Sequence, residues 1–124
     1  MELYAENILD HYKHPRNYGL LKDANLKAKD ANMVCGDKIA MQVKTDRKNK
    51  IVEIKFSGIG CAISRAGASM LTEIVKGMTV DRAKKICNDD IYKLLGVPIS
   101  ASRVKCALLG LSTLKKALSK KHAD

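Results

Sequence analysis

Two hydrophobic periods run along this chain, and the places where one gives way to the other mark its elements. Tyr4, Ile8 and Tyr12 recur at i, i+4 and i+8 with Leu9 beside them, which predicts a short amphipathic helix. His14-Pro15 stops it, and Asn17-Tyr18-Gly19 supplies turn chemistry. Residues 20–32 are polar and weakly patterned, and read as a loop leading into a strand. From Lys38 to Lys44 the alternation is clean, with Ile39, Met41 and Val43 on one face and Lys38, Gln42 and Lys44 on the other. That is the pattern of a half-buried strand. Asp46-Arg47-Lys48-Asn49-Lys50 makes a polar turn. Ile51 to Phe56 then reads as a second strand, with Val52, Ile54 and Phe56 facing inward, and the pair as a hairpin.

After Ser57-Gly58-Ile59-Gly60-Cys61 the period becomes helical. Ile63, Ala66 or Gly67, Met70 and Ile74 predict a helix ending near Gly77. Thr79 is placed to cap the next helix, which carries Val80, Ala83 and Ile86. Asn88-Asp89-Asp90 breaks it, Ile91 to Leu95 allows one more helical segment, and Gly96-Val97-Pro98 is a further break. The last helix runs from about Ser102 to Lys120, with Val104, Leu108, Leu111 and Leu118 along one stripe. Strands precede helices, so the expected class is α+β, a small antiparallel sheet of about three strands with helices packed against one face. Neither repeat nor linker interrupts the pattern, and residues 1–124 read as a single domain.

Composition narrows the class. With 124 residues, 46% of them hydrophobic, and a mean hydropathy of −0.18, the chain suits one compact domain that needs no disulfide scaffold. No apolar run approaches the roughly 20 residues that span a bilayer. Met1-Glu2-Leu3-Tyr4 begins acidic and amphipathic, unlike a signal or transit peptide, so a cytoplasmic protein is expected.

Charge and cysteines add the chemistry. Lys and Arg number 23 against 13 Asp and Glu, giving a net +10, a field that attracts polyanions. The basic residues spread from Lys13 to Lys121, densest at Lys115, Lys116, Lys120 and Lys121, and aromatic residues make up only 4%. Without stacking side chains nucleic acid is disfavoured, and the lysine run reads as a solvated helix end that complements the helix dipole. Cys35, Cys61, Cys87 and Cys106 remain as buried thiols, metal ligands or nucleophiles, with disulfides not expected in that compartment.

Three of the four cysteines lie at element boundaries. Cys35 precedes Gly36-Asp37, Cys61 follows Gly58-Ile59-Gly60 at a strand-to-helix turn, and Cys106 opens the last helix. Helix N-termini favour anions, and so thiolates at Cys61 and Cys106, with Arg103 and Lys105 pushing the same way. Three thiols and the Asp37 carboxylate would make a tetrahedral set for zinc or iron. The long gaps between them fit three small hydrophobes packed near loops equally well. Cys87, at a helix end without a glycine turn, reads as a packing residue or a free thiol.

Asp10-His11-Tyr12-Lys13-His14-Pro15-Arg16-Asn17-Tyr18-Gly19 resembles the N-terminal signature of IscU/NifU-type iron–sulfur cluster scaffold proteins. Cys35-Gly36-Asp37, Gly58-Ile59-Gly60-Cys61-Ala62-Ile63-Ser64 and Arg103-Val104-Lys105-Cys106-Ala107 resemble that family's three cysteine motifs, in order and across nearly the whole chain. The resemblance implies a SufE/NifU-like fold and a scaffold, not an enzyme, on which a 2Fe-2S cluster is assembled and passed to recipient apoproteins. Its ligands would be Cys35, Cys61 and Cys106, with Asp37 as a fourth or exchangeable ligand whose harder oxygen suits release. It also implies a cysteine desulfurase as sulfur donor, Zn2+ as another occupant of the same site, and leaves a homo-oligomer open.

Two departures qualify it. Lys105 stands where the housekeeping scaffold branch has His, and an ammonium has no lone pair to offer a metal. Arg-x-Lys-Cys resembles instead the SufU-type branch, zinc-dependent sulfur acceptors, in which Cys106 or Cys61 would take the persulfide. Yet the chain lacks the extra segment that branch typically carries between its second and third cysteines. Gly96-Val97-Pro98-Ile99-Ser100 replaces the chaperone-binding Leu-Pro-Pro-Val-Lys, which argues against a dedicated chaperone. His11, Asp10, Arg16 and Asn17 read as groups that fix the first turn or dock a partner. Three thiolates and a carboxylate outweigh a doubly charged ion, so part of the +10 offsets local negative charge. The rest suits an acidic face of a protein partner.

Overall fold

A computed structural model describes residues 6–33 and 36–119; the expectations for Tyr4, Cys35, Lys120 and Lys121 lie outside them. Helix α1 (Glu6–Lys13) is followed by strands β1 (Leu26–Asn32), β2 (Asp37–Thr45) and β3 (Ile51–Ile59). Helices α2 (Ala62–Val75), α3 (Val80–Lys84), α4 (Asn88–Leu95) and α5 (Val104–Ser119) complete it, with a 3-10 turn at Ala101–Arg103 before α5. The sheet order is β1-β2-β3, both pairs antiparallel. Helices α2 and α5 cover one face, burying Ile39, Met41, Val43, Ile54 and Phe56 beneath them. The expected α+β architecture is the one observed.

Strand β1 corrects the reading of residues 20–32 as a loop. Leu26 and Ala28 are buried while Lys27 and Lys29 are exposed, an alternation that sheet pairing enforces. Lys, Ala, Asp and Asn are depleted in strands, so local preference pointed the other way and cross-strand pairing overrode it. Val52 is a second correction. Thr45 pairs with Ile51 and Lys44 with Glu53, which leaves Val52 as the extra residue of a β-bulge. The bulge turns Ile51 fully inward and leaves Val52 43% exposed.

Among the helices, Thr79 caps α3 as expected, its hydroxyl accepting from the Arg82 N–H at 3.2 Å. Asn88-Asp89-Asp90 is the first turn of α4 and not a break, because acidic residues suit a helix N-terminus; Gly96, at φ 72°, ends that helix. Cys87 caps α4 and is exposed, so the packing role does not hold and the free thiol does. On α5, Leu111 and Leu118 are buried but Val104 and Leu108 only partly; Cys106, Ala107, Leu109, Leu114 and Ala117 go deeper. Lys116, at the solvated end, also pairs with Asp30 of β1 at 3.1 Å.

Small residues let α2 and α5 approach closely. A Cβ on Gly110 would lie 3.0 Å from the Ala68 Cα, and one on Gly67 would lie 3.2 Å from the Ala107 carbonyl oxygen. This crossing sits within two turns of each helix start, so it also draws Cys61 and Cys106 together.

Helix α1 docks on α2 through fully buried Ile8 and through Ser69. The Ser69 Oγ accepts from the Arg16 N–H at 2.8 Å and lies 2.7 Å from His11 Nδ1. His11 therefore fixes the first turn, as expected. Burial, helped by the Arg16 charge and opposed by Glu73, holds the imidazole below its ordinary value of 6.5. A group depressed on folding contributes stability that is present above the unfolded value and lost as pH falls through the folded one. The urea midpoint should therefore decline as pH drops from about 7 to about 5. His11→Gln should be less stable at neutral pH and lose that part of the acid-side decline. A wild-type slope retained in the variant would remove His11 as its source.

Candidate metal centre

The first residue of β2, the cap of α2 and the third residue of α5 meet at one end of the sheet. Asp37, Cys61 and Cys106 each offer a ligand atom, and these atoms lie within 4.8 Å of one another. The hairpin register is what delivers the first two. Lys38 pairs with Ile59, so Asp37 sits across from the Gly60-Cys61 turn, and the Cys61 N–H donates to Asp37 Oδ1 at 3.2 Å. Cys61 has extended backbone (φ −73°, ψ 173°), makes no side-chain cap bond and is partly exposed. Its thiol is thus free to turn toward the site, at the electropositive start of a 14-residue helix. Cys106 is completely buried.

At Gly60 the side chains of the site crowd the turn. A Cβ there would lie 2.2 Å from Ser64 Oγ and 3.1 Å from Asp37 Oδ1. Ser64 itself donates to the Cys61 carbonyl at 3.1 Å, locking the turn from the helix side.

Asp37 carries the clearest chemical signal. Its residue is 3% exposed, and its Oδ2 is buried with no hydrogen-bond partner among the described residues. A desolvated carboxylate oxygen left without a partner costs several kcal/mol by about the usual measure, unless a cation meets it. Two sulfurs beside it form a soft donor pair, the combination that zinc and iron take and that calcium or magnesium does not. The residues present fit such a metal. Atoms that share one tetrahedral zinc sit about 3.3–3.8 Å apart, so a small inward movement closes this set.

Of the four residues read from sequence as ligands, the structure brings Asp37, Cys61 and Cys106 together, and Cys35 lies outside the described residues. Cys87 stands apart from that group. Its N–H and its Sγ both meet Asp90 Oδ2, at 2.9 and 3.3 Å, in a capping role. The backbone N–H holds the Asp90 carboxyl below its ordinary range.

Sequence reasoning missed two neighbours. Buried Asn32, the last residue of β1, donates from Nδ2 to Cys106 Sγ at 3.5 Å. Arg65, one turn beyond Cys61, lies over the rings of Tyr12 and Tyr18 at 5.3 and 5.4 Å. Such cation–π contacts pin α1 and the Tyr18 segment beside the site. Lys105 is exposed and lines a groove with Asp30, Met33, Leu108 and Ser112. Met33 and Ile59, each two residues from a candidate cysteine in sequence, are 86% and 65% exposed. Among the described residues, no helix is long and apolar enough to cross a membrane.

Residues 3–123 match the family described as NifU-like N terminal domain. The chain is 38% identical over 116 residues to the iron-sulfur cluster assembly scaffold protein IscU of Aquifex aeolicus, covering 93% of this chain and 73% of that one. It is 39% identical over 138 residues to the zinc-dependent sulfurtransferase SufU of Bacillus subtilis, covering 97% and 92%. That alignment is longer than this whole chain, so the Bacillus protein carries residues within it that this chain lacks. A crystal structure from Fervidobacterium islandicum AW-1, described as a cluster assembly scaffold for the SUF system, superposes with a TM-score of 0.78 at 30% identity. It covers 94% of this chain and 96% of that one.

Proposed function

Because the chain belongs to the NifU-like N-terminal domain family, we propose that it is a scaffold for 2Fe-2S assembly. Iron and desulfurase-derived sulfur are the substrates, and apoproteins receive the product. The observation that carries this reading is the buried Asp37 oxygen, without a hydrogen-bond partner among the described residues, beside two cysteine sulfurs. Cys61 and Cys106 supply soft thiolate ligands, and Cys35, two residues before Asp37 in sequence, supplies the third. Asp37 takes the remaining position. A carboxylate binds a soft cluster less firmly than a fourth thiolate would, so the scaffold holds its cargo without trapping it.

The partners follow from the same surface. A cysteine desulfurase must bring a persulfide to the thiols, and the exposed Met33 and Ile59 offer it an apolar contact close to them in sequence. Gly96-Val97-Pro98-Ile99-Ser100 offers no Leu-Pro-Pro-Val-Lys, so release need not depend on a dedicated chaperone. Residues 1–124 act as one domain, in the cytoplasm, with no catalytic turnover of their own.

A second reading is favoured by Lys105, which cannot ligate, and by the likeness to the Bacillus sulfurtransferase. Here the chain accepts sulfur in a zinc-dependent way. Zinc, when bound, would hold the thiols in their ionised form. The acceptor thiolate attacks the outer sulfur of the desulfurase persulfide, forms a new S–S bond and releases the desulfurase thiolate. Cys61 is the more accessible acceptor, since Cys106 is fully buried.

Metal and acid-labile sulfide analysis of protein purified without oxygen separates the two. Iron with sulfide supports the scaffold. Zinc without sulfide, together with desulfurase turnover that this protein stimulates and chelation abolishes, supports the acceptor. A protein that takes up neither metal, even after anaerobic reconstitution, overturns both.

A further inference from the structure

We propose that Asn32 is a positioning residue of the metal centre, its side-chain amide holding the Cys106 sulfur and drawing charge from it. This rests on the ligand set proposed above. Asn32 is 7% exposed and Cys106 is fully buried, so the 3.5 Å Nδ2–H···Sγ contact is shielded from water. Sulfur is larger than oxygen, and 3.5 Å is hydrogen-bonding distance to it.

Asn32 touches the site in two further ways. It pairs across the β1–β2 hairpin with Asp37, and its carbonyl accepts from the Gly36 N–H at 2.9 Å. The positions bracketed by that backbone bond include Cys35. One residue thus ties together the backbone on either side of Cys35, the strand position of Asp37 and the sulfur of Cys106.

The residue type argues the same way. Asparagine is depleted in strands and its buried amide is costly unless bonded, so a strand end gains nothing from it as packing. An amide N–H is, however, a suitable donor to a thiolate that a metal also holds. Partners of this kind orient a ligand and set how much charge it gives the metal. A hydrogen bond to sulfur lowers the energy of the sulfur lone pairs, so its removal makes the thiolate the stronger electron donor.

Cobalt titration tests this with Co2+ alone as the probe, added anaerobically to the apoprotein. Wild type should show thiolate-to-cobalt charge-transfer absorption. In Asn32→Leu that band should move to lower energy, and affinity measured against a competing chelator should fall about tenfold or more, because lost positioning of the sulfur outweighs its stronger donation. Asn32→Asp keeps the shape but replaces the donor with an acceptor, and should shift the band the same way if leucine disturbs the fold. A folded variant, by circular dichroism and urea midpoint, whose band keeps its energy would overturn the role of Asn32. Absence of charge-transfer absorption in wild type would instead sink the ligand set itself.

Discussion

Cys61→Ala and Cys106→Ala should each stay colourless after anaerobic reconstitution with Fe2+, sulfide and reductant, while Cys87→Ala develops the visible 2Fe-2S chromophore. Cys35→Ala should behave like the first two. The expected effect is all or none, because each alanine would remove one ligand of the proposed set, which already includes a weak one. Among the described residues, the candidate ligands grouped with Cys106 are Asp37 and Cys61, and both are already used. The Cys106 sulfur is enclosed, and the neighbouring Asn32 amide is a donor there and cannot ligate. Cys61 sits at a helix start where water could enter, but water is a poor ligand for a cluster that prefers sulfur. Cys87 caps α4 through Asp90, so its loss costs no more than a cap, about 1 kcal/mol, and leaves the centre intact. Circular dichroism would separate a missing ligand from a missing fold. Colour that persists in Cys106→Ala would remove the buried sulfur from the site.

The helices and the β2–β3 hairpin were legible because their signals are local. Ile39, Met41 and Val43 alternate within seven residues, and Thr79 caps three residues from the N–H it serves. What escaped the sequence depends on contacts between distant segments. β1 is made of poor strand formers and exists because β2 pairs with it; Val52 faces out because a bulge lies opposite Lys44 and Thr45. The site divides along the same line. Cysteine and aspartate beside glycine are visible as motifs, and the family resemblance put them in one place. Asn32 carries no motif of its own: it matters only once β1 is known to end opposite Asp37 and beneath Cys106. The charge reading sharpened too, since Lys116 spends its charge on Asp30 within the fold.

Two glycines near Cys61 should lose different properties on substitution by alanine. Gly58 has φ +140°, where L side chains are strained, and its Cβ would fall 2.0 Å from the Lys38 carbonyl oxygen and 3.0 Å from the Ile39 Cα. Both obstacles are backbone of the paired strand, so neither can swing aside. Gly58→Ala should cost about 3 kcal/mol or more, read as a large drop in urea midpoint, because strain and overpacking add. The damage falls where β2 and β3 deliver Asp37 and Cys61, so metal uptake should fail with the fold. Gly60→Ala is the informative contrast. Its nearest obstacle is the Ser64 hydroxyl, a side-chain atom that can rotate away, and its next is the Asp37 carboxylate. The fold should survive with a small loss, while displaced Asp37 and a released Cys61 turn weaken metal binding by an order of magnitude or more. Stability and metal affinity measured on both variants would therefore separate: Gly58→Ala loses both, Gly60→Ala mainly the second. A Gly60→Ala protein that binds Co2+ as tightly as wild type would show that the Asp37 carboxylate does not need its present position to serve the metal.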